Sequence, residues 1–269
     1  MRSSEEVIAY LEKLRFMMQY LGISDCKLQE GSMRADVNLS VREAGTEDFG
    51  TRTEMKNLNS FKAIARAIEG ERERQIELLE EGRPVIQETR RWDDNKEYSY
   101  AMRSKEDAKD YRYFPDPDLP PVHISDEWIQ ELRQAQPELR EEKRERYQKE
   151  LGLSSYDAGL LTESPHLAAL FEEVVKLYGD PKKPANWFMV EVFRLIKEKG
   201  MDPEKVQFTP SHMSDLLLMV DKKEVSPQNA KKVFEEIFQN DVNPVLYIEE
   251  KGLKIIEDEG LLTKTLEKI

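Results

Sequence analysis

The clearest pattern in the chain is a strict alternation of apolar and polar side chains over residues 33–42. Alternation with a period of two is typical of a β-strand that buries one face. A second alternating stretch follows at residues 51–57, after a loop that ends at Gly50. If the two strands pair antiparallel, their polar side chains share one face of a sheet. That face would carry Arg34, Asp36, Asn38, Ser40, Arg52, Glu54 and Lys56.

The residues before and after these two strands have the periodicity of helices. Apolar residues at a spacing near 3.6 predict a first helix that is opened by a capping box of Ser3 and Glu6. A second helix is predicted over residues 61–81, with Ser60 as its N-cap. Two more strands are expected at residues 84–92 and 98–103.

A proline-rich connector over residues 110–121 divides the chain into two kinds of pattern. Proline fixes φ and removes a backbone donor, so this connector is predicted to be extended and rigid. After it, caps and breakers mark helix after helix, among them an amphipathic helix at 186–199. The expected fold is α+β: a mostly antiparallel sheet with packed helices, followed by an all-helical domain.

The composition excludes several classes of protein for this chain. The 269 residues are 39% hydrophobic and 35% charged, which is enough apolar material for real cores. No apolar run approaches the roughly 18 residues that span a bilayer, so a soluble, cytoplasmic protein without a membrane partner is expected. One cysteine and three scattered histidines leave a zinc site without ligands. A net charge of −13 argues against indiscriminate nucleic-acid binding but leaves room for a local basic patch.

The polar sheet face is the leading candidate for chemistry. Asp36 and Glu54, with Arg34, Arg52 and Lys56 nearby, have the residue types that hold a hydrated Mg²⁺ and a triphosphate. A solvated face with cross-strand salt bridges explains the same pattern, and from pattern alone it is the better interpretation. Three hydrogen-bonding side chains at the start of the next helix favour a binding site over a solvated face. These are Asn57, Asn59 and Ser60.

Two further motifs have both a functional and an ordinary explanation. The run at residues 111–114 alternates aromatic and basic side chains and could stack on bases, although anchoring the proline connector is the simpler explanation. Lysine pairs near helix ends could touch a phosphate backbone, and ordinary helix-end lysines are about as good an explanation. These pairs are Lys182-Lys183, Lys222-Lys223 and Lys231-Lys232.

Long blocks of this sequence resemble one known family. Residues 30–41, 50–61 and 112–121, with 87–90 and 102–106 between them, are similar to the signature blocks of the B subunits of aspartyl/glutamyl-tRNA(Asn/Gln) amidotransferases. The similarity extends over essentially the whole chain. Ordered blocks of this length are far more specific than a short motif.

The resemblance implies a ligase activity that uses ATP and Mg²⁺. In this family, the side-chain carboxylate of misacylated Glu-tRNA(Gln) or Asp-tRNA(Asn) is phosphorylated. Ammonia that the amidase (A) subunit releases from glutamine then forms Gln-tRNA(Gln) or Asn-tRNA(Asn), in a complex that also contains a small (C) subunit. The alternative is a non-catalytic fragment of the same complex that binds tRNA and acts as a scaffold.

The resemblance also assigns roles by block position. Glu54 and Asp36 are expected to be the catalytic and metal-binding carboxylates. The residues expected to orient phosphate or the acceptor end are Arg34, Arg52, Lys56, Asn57 and Asn59. A weaker expectation gives tRNA contacts to Lys222, Lys231 and Lys232.

Compared with the family pattern, the chain resembles a fragment. Residues 1–124 correspond to the C-terminal part of the cradle domain, 125–241 to the helical domain and 242–269 to the start of the tRNA-binding tail domain. Family members begin with a longer cradle segment that supplies other ligands. This polypeptide alone is therefore not expected to catalyse transamidation.

Overall fold

A computed structural model describes residues 1–104 and 114–255. The chain forms two compact units, residues 1–137 and residues 138–269. The first unit combines helices with one sheet, and the second is built from helices. The predicted α+β fold class is confirmed. The predicted division into three domains stays a prediction.

The first unit contains four strands and three α-helices within the described residues. In chain order these are α1 (Ser4–Tyr20), β1 (Val37–Leu39), β2 (Thr53–Lys56), α2 (Phe61–Glu80), β3 (Glu88–Asp93), β4 (Tyr98–Ser104) and α3 (Asp126–Ala135). Helices α1 and α2 pack on each other, and α2 also contacts β1 and β4. The buried core between them contains Leu11, Met55, Leu58, Ala63, Ile64, Ala67, Ile68 and Trp92.

The strands lie side by side in the order β1, β2, β3, β4. β1 pairs antiparallel with β2, β2 pairs parallel with β3, and β3 pairs antiparallel with β4. The parallel pair follows from the connection through α2, because parallel neighbours need a crossover that a helix supplies. The sheet is therefore mixed, with two of its three pairings antiparallel.

The first predicted strand is much shorter than its alternating pattern. Only Val37–Leu39 pairs as a strand, because β2 offers just four residues as a partner. Beyond Leu39 the backbone bonds to a side chain of α2 instead. The Val41 N–H donates to Gln75 Oε1 at 3.0 Å, and Gln75 Nε2 donates to the Leu39 carbonyl oxygen at 3.3 Å.

Side-chain caps begin both long helices of this unit at the predicted residues. Ser60 Oγ accepts a hydrogen bond from the Ala63 N–H at 3.0 Å, which satisfies an orphan donor of the first turn. Ser3 does the same for Glu6 at the start of α1. The predicted capping box is only half formed, because the Glu6 carboxylate accepts from the Arg2 N–H rather than from Ser3.

The second unit is a set of short helices around one continuous apolar core. Its helices are α4 (Arg140–Lys149), α5 (Ser155–Leu161), α6 (Pro165–Tyr178), α7 (Lys182–Trp187), a π-helical turn (Phe188–Val192), α8 (Phe193–Lys199), a 3-10 turn (Pro203–Lys205), α9 (Pro210–Asp221), α10 (Pro227–Asn240) and α11 (Pro244–Lys251). Helix α6 packs on α9, which also contacts α10 and α11. In this core, Phe171 packs edge-to-face on Phe188 and Phe208 packs edge-to-face on Phe234, while Phe188 and Phe208 meet at a tilted angle.

The helix expected at residues 186–199 begins four residues earlier, at Lys182, and contains a π-helical turn. This turn places Glu191 inward, at 3% exposure. Within the described ranges, no helix combines the length and the apolar character that crossing a membrane requires.

Candidate functional site

Three of the predicted site residues lie together on the outward face of the sheet. Lys56 Nζ lies 3.4 Å from Asp36 Oδ2 and 3.3 Å from Glu54 Oε1. Strand register explains this contact, because Val37 opposes Met55, which places Asp36 and Lys56 side by side. Met55 and Thr53 point to the opposite face and are fully buried. We call Asp36, Lys56 and Glu54 the charged triad.

The three side chains of the charged triad differ in their exposure to solvent. The Glu54 side chain is 18% exposed, whereas Lys56 and Asp36 are 39% and 52% exposed. Thr89 on β3 donates from Oγ1 to Glu54 Oε2 at 3.0 Å, because the two residues are directly opposite in the parallel register. Glu54 is thus the anchored carboxylate, and Asp36 the one most open to solvent.

The two carboxylates act on the lysine between them. The pKa of Lys56 lies above its ordinary value because its ammonium donates a hydrogen bond to Glu54 and is attracted by Asp36. Lys56 therefore stays protonated at neutral pH. The triad presents two negative groups and one positive group to whatever binds above the sheet.

Arg34, Arg52 and Asn59, predicted to be supporting groups, are exposed. Within the described ranges they form no hydrogen bond or ion pair, so their side chains are available to a ligand. Asn57 differs, because its Nδ2 donates to the Trp92 carbonyl oxygen at 3.0 Å and its φ is +67°. Asn57 thereby ties the end of β2 to β3.

A buried polar network under β2 was missed by the sequence analysis. Glu71 on α2 has no exposed side-chain surface, and its carboxylate accepts hydrogen bonds from Thr53 Oγ1 and from two nitrogens of Arg74. Gln75 Nε2 also donates to Glu71, at 2.8 Å. Arg90 Nε lies 3.4 Å from Glu71 Oε2. With Ser99, which donates to the same carboxylate, these residues form what we call the Glu71 network.

Burial and hydrogen bonding act in opposite directions on Glu71. Burial alone raises the pKa of this carboxyl, but hydrogen bonds from Arg74, Gln75 and Thr53 outweigh it, and the pKa lies below its ordinary value. Thr53 precedes Glu54 on β2, so the network fixes the strand that carries two triad residues. A signal existed in the sequence: Glu71 and Gln75 continue the spacing of the apolar stripe Ala63, Ile64, Ala67, Ile68.

The triad has the donor chemistry for a partly hydrated Mg²⁺. Mg²⁺ is usually held by one or two carboxylates together with water and substrate phosphates, and Asp36 and Glu54 supply two. Within residues 1–104 and 114–255, no group of three or more potential ligands forms a closed metal cage. Asp36 and Glu54 could therefore hold such an ion only together with water or substrate oxygens.

The lysines expected to contact tRNA lie in the second unit. Lys222 and Lys232 are exposed, on the C-cap of α9 and in α10. Lys231 Nζ lies 2.8 Å from Glu191 Oε1, so it serves an ion pair with a nearly buried carboxylate. Lys222 and Lys232 are therefore better placed than Lys231 for an external contact. Residues 111–113 of the predicted aromatic-basic run lie outside the described residues.

Comparison with known protein families identifies the class to which this chain belongs. The sequence model of one protein family, the GatB/GatE catalytic domain, matches residues 1–130. The sequence model of a second family, the GatB domain, matches residues 169–269. Together the two matches cover most of the chain.

Individual relatives make the assignment specific. The chain is 62% identical over its full length to the B subunit of the aspartyl/glutamyl-tRNA(Asn/Gln) amidotransferase of Agathobacter rectalis, and 59% identical to that of Lachnoclostridium phytofermentans. The B subunit of Carboxydothermus hydrogenoformans is 47% identical over 268 residues. The chain belongs to this family of amidotransferase B subunits, which confirms the resemblance. It spans 57% and 56% of the length of the first two relatives.

Proposed function

We propose that this chain contributes the carboxyl-activating part of a tRNA-dependent amidotransferase, with the charged triad at the reaction site. One observation carries the proposal: the carboxylates that the family resemblance selects, Asp36 and Glu54, both contact Lys56 on one open sheet face. The names of the relatives support the class of reaction. The alternative, a solvated face with ordinary salt bridges, accounts for the contacts but not for the coincidence with the family blocks.

The proposed reaction has two steps. A side-chain carboxylate oxygen of Glu-tRNA(Gln) or Asp-tRNA(Asn) attacks the γ-phosphorus of ATP, and ADP leaves. Ammonia then attacks the acyl carbon and loses a proton, and phosphate leaves with the former carboxylate oxygen. Such transfers depend on positioning and on charge stabilisation rather than on a protein nucleophile.

Each triad residue has a role that its surroundings allow. Lys56, protonated and two-fifths exposed, would offset the charge of the transferring phosphoryl group. Asp36 and Glu54 would hold a Mg²⁺ ion, which when bound would neutralise phosphate charge. The exposed Arg34, Arg52 and Asn59 would orient the phosphates or the acceptor end.

The proposed setting is a cytoplasmic complex in which this chain is joined by the amidase (A) and small (C) subunits of the amidotransferase. In it, the helical second unit would contact tRNA, with Lys222 and Lys232 as exposed cations. This unit also supports the second candidate function, a scaffold that binds tRNA without taking part in the chemistry.

The test replaces Glu54 by Gln in an assembled amidotransferase whose B subunit includes these residues. Amide formation on Glu-tRNA(Gln) should fall at least about 100-fold, the cost of losing one preorganised charged group, while tRNA binding is kept. Glu47→Gln, at an exposed carboxylate in the loop between β1 and β2, is the matched control. Full amide formation by Glu54→Gln would leave only the scaffold function.

A further inference from the structure

An aromatic edge lies on β4, separated from the charged triad by β3, on the outward face of the sheet. Tyr98 and Tyr100 on β4 are 48% and 37% exposed, and their ring centroids are 6.1 Å apart. Ser99 between them points to the buried face. Aromatic rings left open on a sheet offer flat apolar area that a ligand can cover. The proposed chemistry at the triad makes no use of these two tyrosines.

Strand register aligns this edge with the triad. Lys56 on β2 opposes Arg91 on β3, and Arg91 opposes Tyr100 on β4. Asp36 contacts Lys56 from the other side. A single row therefore runs from Asp36, just before β1, across β2, β3 and β4 in the order carboxylate, ammonium, guanidinium, phenol ring. With strands about 4.8 Å apart, the backbones of Lys56 and Tyr100 are about 10 Å apart.

The middle of the row is an exposed cation. Arg91 is exposed and forms no ion pair with any residue in the described part of the chain. A guanidinium presents several N–H donors in a planar fork and binds phosphate oxygens in bidentate geometry. Its place between Lys56 and Tyr100 puts a phosphate-binding group between an aromatic surface and the proposed Mg²⁺ carboxylates.

The order of groups in this row matches the order of groups in a nucleoside triphosphate. An aromatic side chain stacks on a base, cations contact the phosphates, and carboxylates hold the metal at the terminal phosphate. We propose that Tyr100, with Tyr98 beside it, forms the base-stacking subsite for ATP, and that Arg91 contacts the phosphate chain. This inference rests on the proposed function, since it takes ATP as the nucleotide.

Charge favours a free nucleotide over an RNA strand as the occupant. The row supplies two cations, Lys56 and Arg91, which suits one short phosphate chain. A polynucleotide backbone is usually bound by a longer set of basic side chains. The net charge of this chain, −13, also disfavours a polyanionic ligand.

The test is a calorimetric titration of the full 269-residue chain with ATP and Mg²⁺. Tyr100→Ala should weaken ATP binding about 5- to 150-fold, because the variant loses stacking on one base. Tyr100→Phe keeps the ring and should bind ATP as the unchanged protein does. Tyr156→Ala, at a 71% exposed tyrosine of the second unit, is the matched control and should change nothing.

Inorganic tripolyphosphate separates the base subsite from the phosphate contacts. Tyr100→Ala should bind it as tightly as the unchanged chain, whereas Arg91→Gln should weaken both ligands. Unaltered Trp92 fluorescence in each variant, measured with Trp128 and Trp187 replaced by Phe, confirms that the sheet is folded, since Trp92 is buried between the sheet and α2.

The outcomes distinguish this inference from the proposed function. Tight ATP binding by Tyr100→Ala would overturn the base subsite and leave the triad assignment intact. Weaker binding of a short RNA ending in CCA by this variant, with unchanged ATP affinity, would also overturn it and give the surface to the RNA end. If the unchanged chain bound neither ATP nor tripolyphosphate, the subsite would be overturned, whereas tRNA-dependent ADP formation by the assembled amidotransferase would still test the proposed function.

Discussion

Replacing Glu71 by Gln should destabilise the first unit strongly, although the side chain keeps its size. The carboxylate is completely buried, and the donors around it come from Thr53, Arg74, Gln75 and Ser99. A glutamine amide turns an NH₂ group toward some of these donors. It also removes the counter-charge of two arginines that are themselves only 25% and 10% exposed. Breaking a buried pair in this way costs about 3–5 kcal/mol.

Urea unfolding followed by Trp92 fluorescence measures this cost. The other two tryptophans, Trp128 and Trp187, are replaced by Phe in all samples so that the signal reports on the first unit. Glu73→Gln is the matched control, because Glu73 is exposed on the same helix and should shift the free energy of unfolding by less than about 0.5 kcal/mol. A loss below about 1 kcal/mol in Glu71→Gln would refute the assignment of the network as the support of β2.

Three further predictions concern stability. Ser60→Ala removes the cap of α2 and should cost about 1 kcal/mol in urea unfolding, whereas Ser60→Asp should restore most of it. Gly50→Ala places a Cβ against the Val41 carbonyl oxygen and should cost about 1–3 kcal/mol; an unchanged midpoint would contradict that contact. A hydrogen bond from Arg146 lowers the pKa of Glu138 from 4.5 to about 2. Folding lowers this pKa, so its stabilisation is present above pH 4.5 and lost as pH falls toward 2. Glu138→Gln should cost about 1–2 kcal/mol at about pH 7 and flatten acid unfolding of the second unit below about pH 4.5.

The sequence predicted which side chains share a face of the sheet better than it predicted the length of the strands. Alternation correctly placed Asp36, Glu54 and Lys56 on one side, because side-chain direction has a period of two wherever the backbone is extended. It overestimated the first strand, because pairing also requires a partner backbone. The partner β2 has four residues, and Gln75 from α2 satisfies the backbone groups beyond it.

The Glu71 network and the cross-sheet row escaped prediction for a different reason. Each depends on which strands become neighbours, and the parallel pairing of β2 with β3 joins residues more than 30 positions apart. The helical spacing of Glu71 shows which face of α2 it lies on but not which donors surround it. Only the strand register places Arg91 and Tyr100 in line with Lys56.

The central claim is that the charged triad is where the substrate carboxylate is activated. The most direct measurement is ADP formation that depends on Glu-tRNA(Gln), in an assembled amidotransferase deprived of glutamine and ammonia. This isolates phosphoryl transfer from amide formation. We predict that Glu54→Gln loses this ADP formation at least about 100-fold while Glu47→Gln retains it. Unchanged tRNA-dependent ADP formation by Glu54→Gln would contradict the claim.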